Sequence, residues 1–77
     1  MINFIKNLFK NHSVIILNKN WQPIKSVKVK HIPRHGEYIY LEEKNQYYAV
    51  LNVVYNLNKK QGIFIIVEEH GNDKPKN

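Results

Sequence analysis

The sequence predicts a mainly β fold, a small five-stranded barrel or meander preceded by a short amphipathic helix. Three observations carry this expectation. From Ser13 onward, apolar residues either alternate with polar ones or form short unbroken runs, the two signatures of strands. Turn clusters rich in Asn, Pro and Gly separate these segments at close intervals. The chain has 77 residues and no cysteine, so one small apolar core must hold it together without disulfides or a thiolate metal site.

The first element is expected over residues 1–12. Met1, Ile2, Phe4, Ile5, Leu8 and Phe9 fall on one side of a helical wheel, and Asn3, Lys6, Asn7, Lys10 and Asn11 on the other. So short a helix is marginal in water, so it either docks on a surface (its own domain, a second copy, or a membrane face) or frays. Lys10, Asn11 and His12 interrupt the apolar stretch and no small-residue cleavage site follows, which argues against a signal peptide. No apolar run approaches the roughly 18 residues of a membrane span. A cytoplasmic protein without a transmembrane segment is the expectation.

The β domain is expected over residues 13–69. "VIIL" (Val14 to Leu17) is a continuous apolar run, as in a strand covered on both faces. "NKNWQP" is a turn cluster holding the single tryptophan, Trp21. "IKSVKVKHI" alternates, with Val27 and Val29 on one face and Ser26, Lys28 and Lys30 on the other. "PRHG" breaks the chain before "EYIYL" (Glu37 to Leu41). The polar "EEKNQ" leads into "YYAVLNVVYNL" (Tyr47 to Leu57), and "NKKQG" leads into a last strand, "IFIIVEE" (Ile63 to Glu69). Residues 70–77, "HGNDKPKN", are polar with Gly and Pro and read as a disordered tail.

Five short strands joined by short turns must curl to bury their apolar runs, and in a chain of this length the closure is a small barrel. The stretch Ile32 to Glu69 resembles the small SH3-like barrels of uncharacterised bacterial and phage-type proteins. There a P-R-x-G-E-x-I-x-L pattern, here "PRHGEYIYL", is followed by Y-x-V-x-x-V-x-x-x-L, here "YAVLNVVYNL". The resemblance implies a fold. Barrels of this kind share no common activity, so it implies no functional residue.

The net charge is +6 and uneven. The first acid is Glu37, so residues 1–35 carry seven cations unopposed. A basic front half suits an anionic partner. Composition argues the other way. Lys, Asn, Ile and Tyr make up 37 of 77 residues and all have AT-rich codons, while Arg34 is the only arginine. Codon bias alone therefore raises lysine at indifferent surface positions, and the residue best suited to bidentate phosphate contacts is scarce.

Catalysis is hard to place. There are two serines, Ser13 and Ser26, and no cysteine or threonine, and the sole aspartate, Asp73, lies in the tail. The adjacent pairs Glu42/Glu43 and Glu68/Glu69 would point to opposite faces of a strand, which does not suit a shared acid–base pair. His31 and His35 have helical ligand spacing, but Pro33 between them disfavours the helix. No metal site, no cofactor and no enzymatic activity are expected.

Two binding surfaces remain. Phe4, Ile5, Leu8 and Phe9 are candidate anchors for a protein contact, with a larger partner or with a second copy of the chain. Lys25, Lys28, Lys30 and Arg34 are candidate phosphate contacts, with Trp21 or Tyr40 for base stacking. The same lysines also read as a solvated strand face that guards a sheet edge. A non-enzymatic binding or adaptor module working through protein contacts is the expected function, and nucleic-acid binding through the basic second strand is the alternative.

Overall fold

The computed structural model describes residues 12–57 and 62–75. Five strands appear in chain order: β1 (His12–Leu17), β2 (Pro23–Val29), β3 (Tyr38–Leu41), β4 (Gln46–Tyr55) and β5 (Ile63–Gly71), with a single 3-10 turn, Glu42–Lys44, between β3 and β4. The expected N-terminal helix, with Phe4, Ile5, Leu8 and Phe9, falls on residues 1–11, outside the described residues. His12, assigned to that helix by sequence, instead opens β1. At the other end β5 continues through His70 and Gly71, because Gly71 pairs with Tyr47 and the His70 ring lies 5.1 Å from that of Tyr38.

The strands form one curled sheet, a half-barrel, in the order β2-β1-β5-β4-β3. An up-and-down meander describes only β3, β4 and β5, which pair antiparallel in sequence order. β1 pairs antiparallel with β2 but lies parallel to β5, with Val14, Ile15, Ile16 and Leu17 opposite Ile63, Phe64, Ile65 and Ile66. The two unbroken apolar runs thus become two of the three interior strands, on either side of the parallel ladder. Strands flanked on both sides and covered on their faces tolerate such runs, whereas edge strands do not. The alternating, lysine-bearing β2 and the four-residue β3 take the edges.

The core lies on the concave face. Val14, Ile16, Leu41, Tyr48, Val50, Ile65 and Val67 form one buried cluster, with Ile24, Val27, Val29, Ile39, Val53 and Ile63 packed around it. Along β4 the core positions run 48, 50, 53, which breaks the period of two. The register shifts between Val50 and Asn52, so Leu51 is an extra residue in a β-bulge. The bulge returns Val53 to the core side, and it explains the Y-x-V-x-x-V spacing.

Ile65 is 0% exposed at the centre of the parallel ladder. Ile65→Ala should lower unfolding stability by about 2–5 kcal/mol, enough to leave a domain of this size near its folding threshold. Leu57→Ala, at a side chain 92% exposed, should change it by less than about 0.5 kcal/mol. Urea denaturation followed by circular dichroism measures both.

Candidate functional site

The segment between β2 and β3 carries Lys30, His31, Arg34 and His35, and its geometry begins with one tight turn. The Glu37 N–H donates to the Arg34 carbonyl at 3.0 Å, closing a four-residue turn over Arg34–Glu37. Gly36 holds φ +91 at its third position, which a type II turn requires and glycine adopts without strain. The Glu37 carboxylate caps the turn by accepting the Arg34 N–H at 2.7 Å. Two backbone bonds then pin it to β4: Gly36 N–H to the Val50 carbonyl, 3.0 Å, and Val50 N–H to the Glu37 carbonyl, 2.8 Å.

The anchored segment forms one wall of a groove of about 700 Å³. His12 at the start of β1 and Asn52, Val53 and Tyr55 of β4 form the other. The groove brings together Lys30 and Arg34, both expected phosphate contacts, with three imidazoles, His12, His31 and His35. Glu37 is the one carboxylate among the described residues that line it. Among the described residues no three His, Asp or Glu side chains gather closely enough to hold a metal ion.

The other expected contacts lie elsewhere. Lys25 sits opposite Ile16, on the core side of β2, and its ammonium forms a hydrogen-bonded ion pair with Glu43 in the 3-10 turn after β3. That pair links the two edges of the half-barrel. Lys28 lies opposite Ser13, one residue out of phase with Val27 and Val29, and so faces outward. Tyr40 tilts against Tyr47 with ring centroids 4.6 Å apart and donates its hydroxyl to Asn45 Oδ1 at 2.7 Å. Trp21 meets Phe64 edge to face at 6.2 Å. The four cations and two aromatics proposed as one nucleic-acid surface are therefore divided among the groove (Lys30, Arg34), the concave rim (Lys25) and three separate elements, with Lys28 on β2, Trp21 in the β1–β2 turn and Tyr40 on β3. The sequence missed His12 as a groove residue because its position depends on β1 reaching the β2–β3 segment.

Trp21 has φ +62, the left-handed region that disfavours a residue with a Cβ. Asn18 holds the chain there. Its Oδ1 accepts the N–H groups of Asn20 (2.8 Å) and Gln22 (3.0 Å), its Nδ2 donates to Gln22 Oε1 at 3.0 Å, and its carbonyl accepts the Trp21 N–H at 3.0 Å. An Asn side chain replacing backbone partners in this way is the physical content of the turn signal.

A second groove lies at the opposite end of the half-barrel, with Asn18, Lys19, Pro23, Lys44, Tyr48 and Glu69 along it. Burial pushes the Tyr48 phenol above its ordinary range, and the charges of Glu69 and Glu43 add to the shift. Lys19 pairs with Glu68 at 3.2 Å, so this groove carries mixed charge.

Comparison with family models, curated proteins and solved structures returns no match for this chain.

The hydrogen bond from Lys25 and one from the backbone hold the Glu43 carboxyl below its ordinary value. A carboxyl with a lowered folded pKa stabilises the fold above its unfolded pKa and loses that contribution as pH falls through the folded one. Lys25→Met should therefore lower the melting temperature near neutral pH, and its difference from the parent should close as pH drops below about 4. Asn18→Ala, which removes three side-chain hydrogen bonds, should cost about 1–2 kcal/mol and shift Trp21 fluorescence, read by urea titration.

Proposed function

We propose that this chain is a small non-enzymatic binding module acting through protein contacts, of which self-association is the simplest. One observation carries the reading: the half-barrel is apolar on both faces. Ile15, Leu17, Phe64 and Ile66 alternate with the core residues of β1 and β5 and so lie on the convex side, where Val54 of β4 pairs with Phe64. Trp21, 57% exposed, extends this patch from the β1–β2 turn. A single-layer sheet with a solvated outer face alternates polar residues there, and these two central strands do not. Leu17 and Ile66 are already buried, so the accessible part of this patch is the half-buried Ile15 and Phe64 together with Trp21, and apolar surface that gathers in one place marks a contact region.

The edges fit the same reading. β2 carries Lys25 and Lys28, and β3 is only four residues long, both common devices against edge-to-edge pairing. That leaves the convex face as the surface for association. The expected anchors Phe4, Ile5, Leu8 and Phe9 precede β1 in the sequence and belong to the same proposal. Small domains with limited cores often gain stability by oligomerising. The SH3-like assignment belongs to this proposal too: the stretch that bears the resemblance, Ile32 to Glu69, contains the β3–β4–β5 meander, and the parallel β1–β5 ladder is an addition to it.

Sedimentation velocity over a concentration series of the full chain tests the reading. The expected result is concentration-dependent association that Phe64→Glu, at a half-buried convex position, abolishes while the circular dichroism spectrum is kept. A chain that stays monomeric up to about millimolar concentration, a range that includes even loose association, overturns it.

A further inference from the structure

We propose that the groove between the β2–β3 segment and β4 binds the phosphate of a nucleotide unit, free or within a single strand. This goes beyond the contact module and uses a different surface. Among the described cations two are paired, and of the unpaired ones, Lys28, Lys30, Arg34, Lys44 and Lys74, only Lys30 and Arg34 line this groove. Lys19 and Lys25 are neutralised by Glu68 and Glu43. Lys30 and Arg34 form no ion pair or side-chain hydrogen bond with any described residue. Both are exposed and border one concavity.

The one acid of that concavity does not cancel them. The Glu37 carboxylate accepts the Arg34 backbone N–H, and so closes the turn. The Arg34 guanidinium is left free, and a guanidinium offers a rigid fork of donors that matches phosphate oxygens. Arg34 is held in place by its backbone, through the turn and the two bonds to β4, so its starting position is fixed before any ligand arrives.

His12, His31 and His35 complete the donor set from β1 and from both ends of the segment. They do not gather as a metal shell among the described residues, and imidazoles spread along a groove serve as hydrogen-bond donors to an anion. The volume, about 700 Å³, exceeds what an inorganic anion needs and falls in the ordinary range of small-molecule sites. Tyr55, 57% exposed at the groove, offers a ring face for a base. The groups facing the imidazoles are Lys30, Arg34, Glu37 and Tyr55.

The test is fluorescence anisotropy of a labelled oligothymidylate with the full chain at low salt, competed by a mononucleotide and by inorganic phosphate. The expected result is binding that Arg34→Gln weakens about tenfold and Lys30→Glu/Arg34→Glu by more than about a hundredfold, the scale of lost phosphate contacts. Lys28→Glu, outside the groove, should weaken it less than about threefold. Competition by the mononucleotide assigns the site to a single nucleotide unit, and failure to compete assigns it to a strand. Lys28→Glu weakening as much as Arg34→Gln would mean diffuse attraction to net charge, and overturns the proposal. So does the absence of binding by all three probes at low salt. Phe64→Glu should leave every reading unchanged, which separates this site from the convex contact face.

Discussion

The parallel ladder between β1 and β5 is the constraint on which the rest of the molecule depends. It joins residues about fifty positions apart, Val14 with Ile63 through Leu17 with Ile66, and places both unbroken apolar runs inside the sheet. Each hairpin, β1–β2 and β4–β5, could pair locally, but a lone hairpin is marginal in water. Only the ladder merges the two halves into one sheet with one core. Contacts of such sequence separation form late and slowly, because the loop-closure entropy is lost before the contacts reward it.

That ladder also divides the surface. By occupying the centre, β1 and β5 put their second set of apolar side chains on the convex face, and they force the polar strands to the edges. The curl brings β2 and the turn after β3 near enough for Lys25 to meet Glu43, so the concave opening is bridged at one rim. At the other end the β2–β3 segment must travel from one edge of the sheet to the other. It is pinned to β4 on arrival, and the cations it carries are gathered against β1 and β4.

Much of this was legible in the residues. The five strands follow from apolar periodicity, and "VIIL" and "IFIIV" announce interior strands because no edge strand tolerates them. The order of the strands was not legible. Nothing local distinguishes a β1 that pairs with β5 from one that only begins a meander, since pairing depends on which apolar faces meet. The Val50–Val53 spacing was visible but reads as a bulge only once the partner strand is known. For the candidate site, sequence picked out Lys30 and Arg34, yet grouped them with Lys25 and Lys28 as one row of cations. A period of two separates Lys25 from Lys28, and a salt bridge eighteen positions away, invisible to local reading, removes Lys25 from the set. Pro33 argued correctly against a helix there without showing that His31 and His35 would still share a concavity.

Because β1 and β5 run in the same direction, the fold has a polarity. The chain enters β1 at His12, on the wall of the cationic groove, and leaves β5 past Gly71, beyond the far end of the shared ladder. A molecule that meets the His12 end finds the cations of the groove, and one that meets the Leu17 end finds mixed charge, with Lys19 paired to Glu68.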